Sequence, residues 1–332
     1  MTEPVKLSVQ RAIAARHHLV TSSFNTAFRV FNGFTEGDKQ FVIEVFGRTV
    51  VINDYRDILT DDDVGKRPDA LMAIVLDELP FVRTVVWKQR KSSDANLRNG
   101  VLLLGDKPDT RIVENGIQYA LDITMNRDAG FYVDTRLLRQ WTARNLCSKR
   151  VLNTFAYTGS IGIAAMTVGA KVVQTDLNRR FLNLAKQSCS INRLPIVKRD
   201  YIFGDFFLVV KQLQRQRELF DCVFLDPPFF SQTQRGRVDL EQNMTRLINK
   251  VRPLVASGGH IVAVNNALYV SGEEYMASLH KMCLDGCVSV EGTIDIPQDC
   301  IGYSDTIRNE LPVSPAPFNH ATKIAILNIR HR

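Results

Sequence analysis

From about Arg150 onward, short apolar runs alternate with helix-period patterns, and four successive runs end on Gly159, Asp176, Asp205 and Asp226. Alternation of this kind predicts a doubly wound α/β domain with a parallel sheet. VLNTF (151–155) reads as a strand, SIGIAAMTVGA as a helix and KVVQTD (171–176) as the next strand. Phe181, Leu184, Ala185, Ser188 and Ile191 then share one helical face. Strands are expected again at about 199–204, 220–226, 259–265, 287–294 and 322–329. The last two are separated by a long segment containing Pro297, Pro312, Pro315 and Pro317, so a hairpin closing the sheet edge is one arrangement. Ligands of open α/β sheets bind at the carboxyl ends of strands beside the topological switch point. The four strand-end residues are therefore expected to converge.

The first 120 residues read differently. RVFNGF, QFVIEVFG and TVVINDY look like strands around turns, followed by a helix near 69–79 and a strand at TVVWKQ. This predicts a smaller α+β domain over 1–120 and a catalytic domain over 121–332. KQRKSSDANLRNG (88–100) reads as an exposed basic loop. Lys88, Arg90, Lys91 and Arg98 could contact phosphates, although a solvated surface loop is the default. A net charge of +7 favours a polyanionic partner without requiring one. No window approaches a membrane helix, so a cytoplasmic location is expected. The six cysteines form no C-x-x-C pair, and no metal site is expected.

In NTFAYTGSIGIAA, Gly159 closes the turn after the first strand and offers a ligand close access to the backbone. Only Gly159 and Gly162 are present, so the turn is neither a dinucleotide fingerprint nor a P-loop. Asp176, 17 residues on, can accept both hydroxyls of a ribose, or cap the helix starting near Asn178. Asp205 can accept from the exocyclic amine of an adenine, or cap its own helix. Asp226 opens Asp-Pro-Pro-Phe-Phe, Asp226 to Phe230. Prolines fix φ and lack N–H groups, so the carbonyls of Asp226 and Pro227 can accept without local competition, and Phe229 can stack on a flipped base.

The set resembles the class I S-adenosylmethionine-dependent methyltransferases, and the chain from about 110 to the end resembles the Rlm-type 23S ribosomal RNA methyltransferases. There a G-[FY]-[FY]-x-D-x-R segment, here Gly130 to Arg136, precedes an N-x-[FL]-[SA]-Y-T-G turn. The resemblance implies a Rossmann-like seven-stranded sheet and S-adenosylmethionine as cofactor. It implies Asp134 and Arg136 helping to close the cofactor site, and Asn153, Phe155, Tyr157, Thr158 and Gly159 around it. Asp176 and Leu177 would serve the ribose side, Asp205 and Phe206 the adenine. Asp226, Pro227 and Phe229 are the catalytic candidates, and Pro228, Phe230, Asn265 and Asn266 the substrate-binding ones. The implied partner is RNA, 23S ribosomal RNA first. FRVFNGFTEGDKQFVIEVFGRTVVINDY is similar to the central domain of the cytosine-C5 branch, whose PUA RNA-binding domain is not expected in these residues.

The acceptor atom divides the branches. Cytosine C5 becomes nucleophilic only after a thiolate adds at C6. The C5 branch carries that cysteine after the fifth strand, where this chain has VNNALYV; Cys300, in the long loop, is the only thiol to recruit. Asn265–Asn266 and FLDPPFFSQ are closer to the guanine-N7 branch, and N7 has a lone pair and needs no base. Direct transfer to guanine N7 or another base nitrogen is the favoured expectation, with cytosine C5 as the alternative. A methyltransferase of a small molecule or protein, a non-catalytic RNA binder and a nicotinamide oxidoreductase stand behind it.

Overall fold

The computed structural model describes residues 3–57, 65–233, 236–239 and 244–331. The chain divides into two compact units, Met1–Asp134 with Pro297–Leu311, and Thr135–Ile296 with Pro312–Arg332.

The second unit is built on seven strands: β1 Arg150–Thr154, β2 Lys171–Asp176, β3 Tyr201–Phe203, β4 Phe220–Leu225, β5 Val255–Asn265, β6 Val288–Ile294 and β7 Lys323–Ile329. Their order across the sheet is β3-β2-β1-β4-β5-β7-β6. The first five run parallel, and β7 is antiparallel to both its neighbours. The expected edge hairpin is therefore present as the β6–β7 pair. The switch point lies between β1 and β4, because the chain leaves β1 toward one edge and returns through β4 toward the other. A central parallel strand is covered on both faces, which is why FDCVFL is apolar at nearly every position. Helices α1 Arg136–Asn145, α2 Ser160–Thr167, α3 Arg179–Ile191 and α4 Phe206–Arg215 carry the crossovers nearest the site. On α3 the buried residues are Leu182, Leu184, Ala185, Ser188 and Cys189. Phe181 and Ile191, expected inside, are half-buried because the stripe is rotated by about one residue.

The first unit is α+β, as expected. Strands Ala27–Asn32, Phe41–Phe46, Thr49–Asp54, Thr84–Gln89 and Val101–Leu104 form one sheet in that order. Helices Glu3–Ala15 and Asp69–Glu78 pack on it around Val9, Ile13, Phe31, Val75 and Trp87.

The division differs from the expected boundary at 120 in two ways. Residues 121–134 stay with the first unit because Tyr119 packs on Phe131 at 5.0 Å and Lys88 binds the carbonyls of Ile123, Asn126 and Asp128. Residues 297–311 belong there too. Buried Arg16 donates to both oxygens of Glu36, at 3.0 and 3.1 Å, and to the carbonyl of Asp299 at 2.8 Å, while Thr306 Oγ1 donates to Glu36 at 2.5 Å.

Such a pair contributes little net stability, but breaking it strands a buried charge. Arg16→Ala is expected to destabilise the first unit by about 3–5 kcal/mol. The chain has two tryptophans, Trp87 in the first unit and Trp141 in the second. Denaturant titration of Trp141→Phe therefore reports the first unit alone, and an unchanged midpoint in the double variant would contradict the assignment.

Candidate active site

The turn between β1 and α2 is the most constrained backbone in the second unit. Phe155, Tyr157 and Gly159 all have left-handed φ, at 51°, 51° and 77°. Two of the three are aromatic residues, which adopt this conformation at a cost of about 1–2 kcal/mol each. The surroundings hold them there. Ala156 donates its N–H to the carbonyl of Thr175 at 2.9 Å. Tyr157 donates its N–H to Asp176 Oδ2 at 2.8 Å, and the Tyr157 ring meets Phe181 edge-on at 4.5 Å. Phe155 stacks on Phe206 at 4.6 Å.

Gly159 caps α2, and packing gives a reason for glycine there beside the expected one. A Cβ there would lie 2.6 Å from both Ala185 Cβ and Gln174 Oε1, and one on Gly162 would lie 2.7 Å from the same oxygen. The two glycines make room for the Gln174 side chain beneath the turn, so close packing of helix on strand is their first role. Gln174 Oε1 in turn accepts from Asn153 Nδ2 at 3.3 Å. Asn153, a cofactor candidate, is buried in β1 and supports the turn from below.

Asp176 joins the turn to the next crossover. One oxygen holds Tyr157 and the other accepts from the Asn178 N–H at 2.8 Å, while Asn178 itself caps α3 through Arg180. Burial raises the Asp176 pKa, and the backbone N–H donors of Asn178 and Tyr157 oppose that. Asp205 caps α4, its Oδ1 accepting from Phe207 at 3.0 Å and Leu208 at 3.3 Å. Asp205 thus carries the capping work that was its plain alternative, whereas Asn178 caps α3 and Asp176 holds the backbone ahead of it; a ligand would meet both carboxylates already fixed in direction.

Asp226 follows β4, beside β1 across the switch point. Pro227 is buried, Pro228 is exposed, and Phe229 is 46 % exposed instead of returning to the core. Phe230 begins a short strand, and its side chain lies outside the described residues. Asn265 ends β5, buried, with its Oδ1 accepting from the Ala267 N–H at 2.9 Å; Asn266 is exposed. Asn265 therefore shapes the turn, and of the pair Asn266 is the one open to a substrate. Thr158 is buried. Asp134 ends the first unit and Arg136 opens α1 of the second.

Exposed apolar side chains accompany the carboxylates. Leu177 is 57 % and Phe203 48 % exposed, directly after β2 and at the end of β3. Together with Phe229, they give the carboxyl edge flat apolar surface beside hydrogen-bond acceptors. That donor and surface set fits a nucleoside-bearing cofactor and a planar base.

The basic loop does not match its expectation. Lys88 lies fully buried in a strand, its Nζ donating to the carbonyls of Asn99, Ile123, Asn126 and Asp128. Burial, then the Arg90 charge, pull its pKa down to about 7. Arg90 pairs with Asp128 at 2.8 Å, Lys91 pairs with Asp57, and Arg98 donates to the carbonyls of Ser92 and Ser93. Lys88 and Arg90 thus organise the segment ahead of Gly130–Asp134, Arg98 ties down its own loop, and Lys91 stays on the exposed surface that was the default reading. A lone lysine inside TVVWKQ was the visible signal of a buried amine. Gln174, a polar residue in a core strand opposite two glycines, was the signal for the packing beneath the turn.

A seven-stranded sheet in this order, with its acidic strand ends beside the switch point, defines the class I methyltransferase architecture. Residues 82–279 match the S-adenosylmethionine-dependent methyltransferase family, and the chain belongs to it. Ribosomal RNA large subunit methyltransferase I of Aeromonas salmonicida is 38 % identical over 148 residues, covering 44 % of this chain and 37 % of that protein. The enzyme of the same name from Cronobacter sakazakii is 30 % identical over 253 residues, covering 73 % and 63 %. The chain thus spans less than two thirds of the length of these relatives. Among solved structures, SMU.776, crystallised with SAH, superposes with a TM-score of 0.83 at 21 % identity, over 98 % of this chain and 80 % of that one.

Gly159→Ala is expected to cost about 2–4 kcal/mol, adding left-handed strain to overpacking against Gln174 and Ala185. Thermal unfolding checks this; a shift below 1 °C would mean the turn is not held as described.

Proposed function

We propose that the chain is an S-adenosylmethionine-dependent methyltransferase acting on a base of large-subunit ribosomal RNA. The observation that carries this is Asp226-Pro-Pro-Phe229 at the end of the central strand, with the Phe229 ring open to solvent and apolar surface at the neighbouring strand ends. Family membership and the names of the relatives support the cofactor and the substrate class.

The cofactor, when bound, supplies a methyl group on a sulfonium. Its nucleoside would be held by Asp176, Leu177, Asp205 and Phe206, and its amino-acid end by the Phe155–Gly159 turn. The chain's own work is positioning, which is worth up to about 7–11 kcal/mol when reacting atoms are brought to about 3 Å. Pro227, buried, fixes the direction in which the carbonyls of Asp226 and Pro227 point. Phe229 offers a face on which an unstacked base gains about 1–3 kcal/mol. Stacking does not distinguish bases, so selection falls to the acceptors on Asp226 and Pro227.

The relatives support cytosine C5 as the acceptor, the alternative weighed against guanine N7. One observation favours a base nitrogen. Cys300 is buried in the first unit. In the second unit Cys189 and Cys222 are buried, and burial raises both thiol pKa values. Cys147, Cys283 and Cys287 lie toward the amino edge of the sheet, since Cys147 precedes β1 and the other two precede β6, which runs antiparallel to β7. Among the described residues of the second unit no thiol stands at the carboxyl edge, and a ring or exocyclic nitrogen needs none.

Mass spectrometry of nucleosides from ribosomal RNA of cells with and without the gene tests the proposal. A methylated base missing from the deletion strain is expected, and its identity chooses between C5 and a nitrogen; identical profiles would contradict the reading. Asp226→Ala should lose methyl transfer by at least about 100-fold while calorimetric SAH binding stays within threefold, the loss belonging to base positioning. Cys300→Ser is expected to remain active, and its inactivation would restore a covalent C5 mechanism.

A further inference from the structure

Residues 177–203 contain six of the chain's arginines and lysines against one acid, Asp200. Five of the seven net positive charges therefore reside in this stretch. The fold lays it along one side of the sheet. β3 is the terminal strand, and α3 runs antiparallel beside it. Thirteen helical residues span about 20 Å. Arg179 and Arg180 therefore stand at the carboxyl edge, next to Asp176, and Arg193, Lys198 and Arg199 at the far end before β3.

We propose that this edge is a track for the RNA backbone, leading single-stranded substrate to the carboxyl-end site; this rests on the reading of the chain as an RNA methyltransferase. The cations are set among flat apolar surfaces. The Arg179 guanidinium lies 4.6 Å over the Phe203 ring and the Lys186 amine 5.2 Å over Tyr201. Ile196 and Val197, each 42 % exposed, lie between Arg193 and Lys198. A basic face interleaved with the exposed Phe203 ring and aliphatic surface suits phosphates and unstacked bases, and the buried Tyr201 ring anchors Lys186 on it. Charge alone could protect a sheet edge from pairing with another chain. β3 has only three residues, however, and gives little edge to protect. An edge guarded by charge would also not leave Phe203 half exposed. Asp200, 3.9 Å from Arg199, neutralises little of the field, because the Arg199 side chain is 90 % exposed.

The test combines Arg193→Gln, Lys198→Gln and Arg199→Gln, all exposed and a helix length away from the cofactor residues. Binding to a large-subunit rRNA fragment is measured against salt, with SAH affinity followed by calorimetry. Each lost phosphate contact on a single strand removes about 0.7 from the slope of log K against log salt, so the triple variant should lose about 2. SAH affinity should be unchanged. Arg199→Gln alone, at the most exposed position, should lose about 0.7 and covers the case of a misfolded triple variant. An unchanged slope in a chain that still methylates RNA overturns the track and leaves the function standing. Failure of the unaltered chain to methylate any RNA overturns the function itself. Polyglutamate binding as tight as RNA, with the same loss in the triple variant, would assign the edge to an acidic protein and also overturns the track.

Discussion

The Asp176 carboxylate holds two backbone N–H groups from different crossovers, Tyr157 after β1 and Asn178 before α3. Those two bonds fix the strained turn relative to the next strand end. The energy that holds Phe155 and Tyr157 in left-handed conformation comes from such contacts outside the turn, with the Ala156–Thr175 hydrogen bond and the packing of Phe155 on Phe206 and Tyr157 on Phe181 beside them. The glycines serve the same end from below. They let Gln174 fill the space beneath the turn, so the backbone rests on a packed side chain. The surface offered to a cofactor is thus rigid before the ligand arrives, and little ordering remains to be done on binding.

The chemistry asks little else of the chain. Methyl transfer needs a nucleophile and a sulfonium held in line, and rigid geometry supplies that. A short buried proline after β4 and an exposed ring after it are enough to define where a base can lie. The thiol positions are consistent with this economy: the cysteines of the second unit sit in the core or toward the amino edge. The proposed cofactor residues and the proposed base residues lie on opposite sides of the switch point between β1 and β4, which is where an open sheet leaves a crevice.

The strands and their order of chemistry were legible because a buried parallel strand writes itself as a continuous apolar run with punctuation at its carboxyl end. Asp176, Asp205 and Asp226 could be placed on strand ends for that reason. The capping bonds of Asp205 were foreseeable too, as a carboxylate just before a helix readily accepts from its first N–H groups. Less legible was anything decided by contacts between distant residues. Lys88 and Arg90 look like solvated loop cations in the sequence, and only the fold shows carbonyls from residues 123–128 gathered around them. The return of 297–311 to the first unit is likewise set by Arg16, nearly 300 residues away in sequence, which no local pattern signals. Asn153 and Asn265 entered as ligand contacts through the family resemblance, and the hydrogen bonds that tie each to the structure beside it could not be read from the sequence. The basic edge along α3 went unread as a unit because its cations are spread over a helix and a loop, and only the sheet order brings them onto one side.

A crystal structure of the chain with S-adenosylhomocysteine tests the central claim most directly. The account predicts the ligand at the carboxyl edge, its ribose on Asp176, its amino-acid end against the Phe155–Gly159 turn, and the turn backbone unmoved from its ligand-free course. A ligand bound elsewhere, or a turn that forms only around it, would contradict the claim that the protein builds this surface in advance.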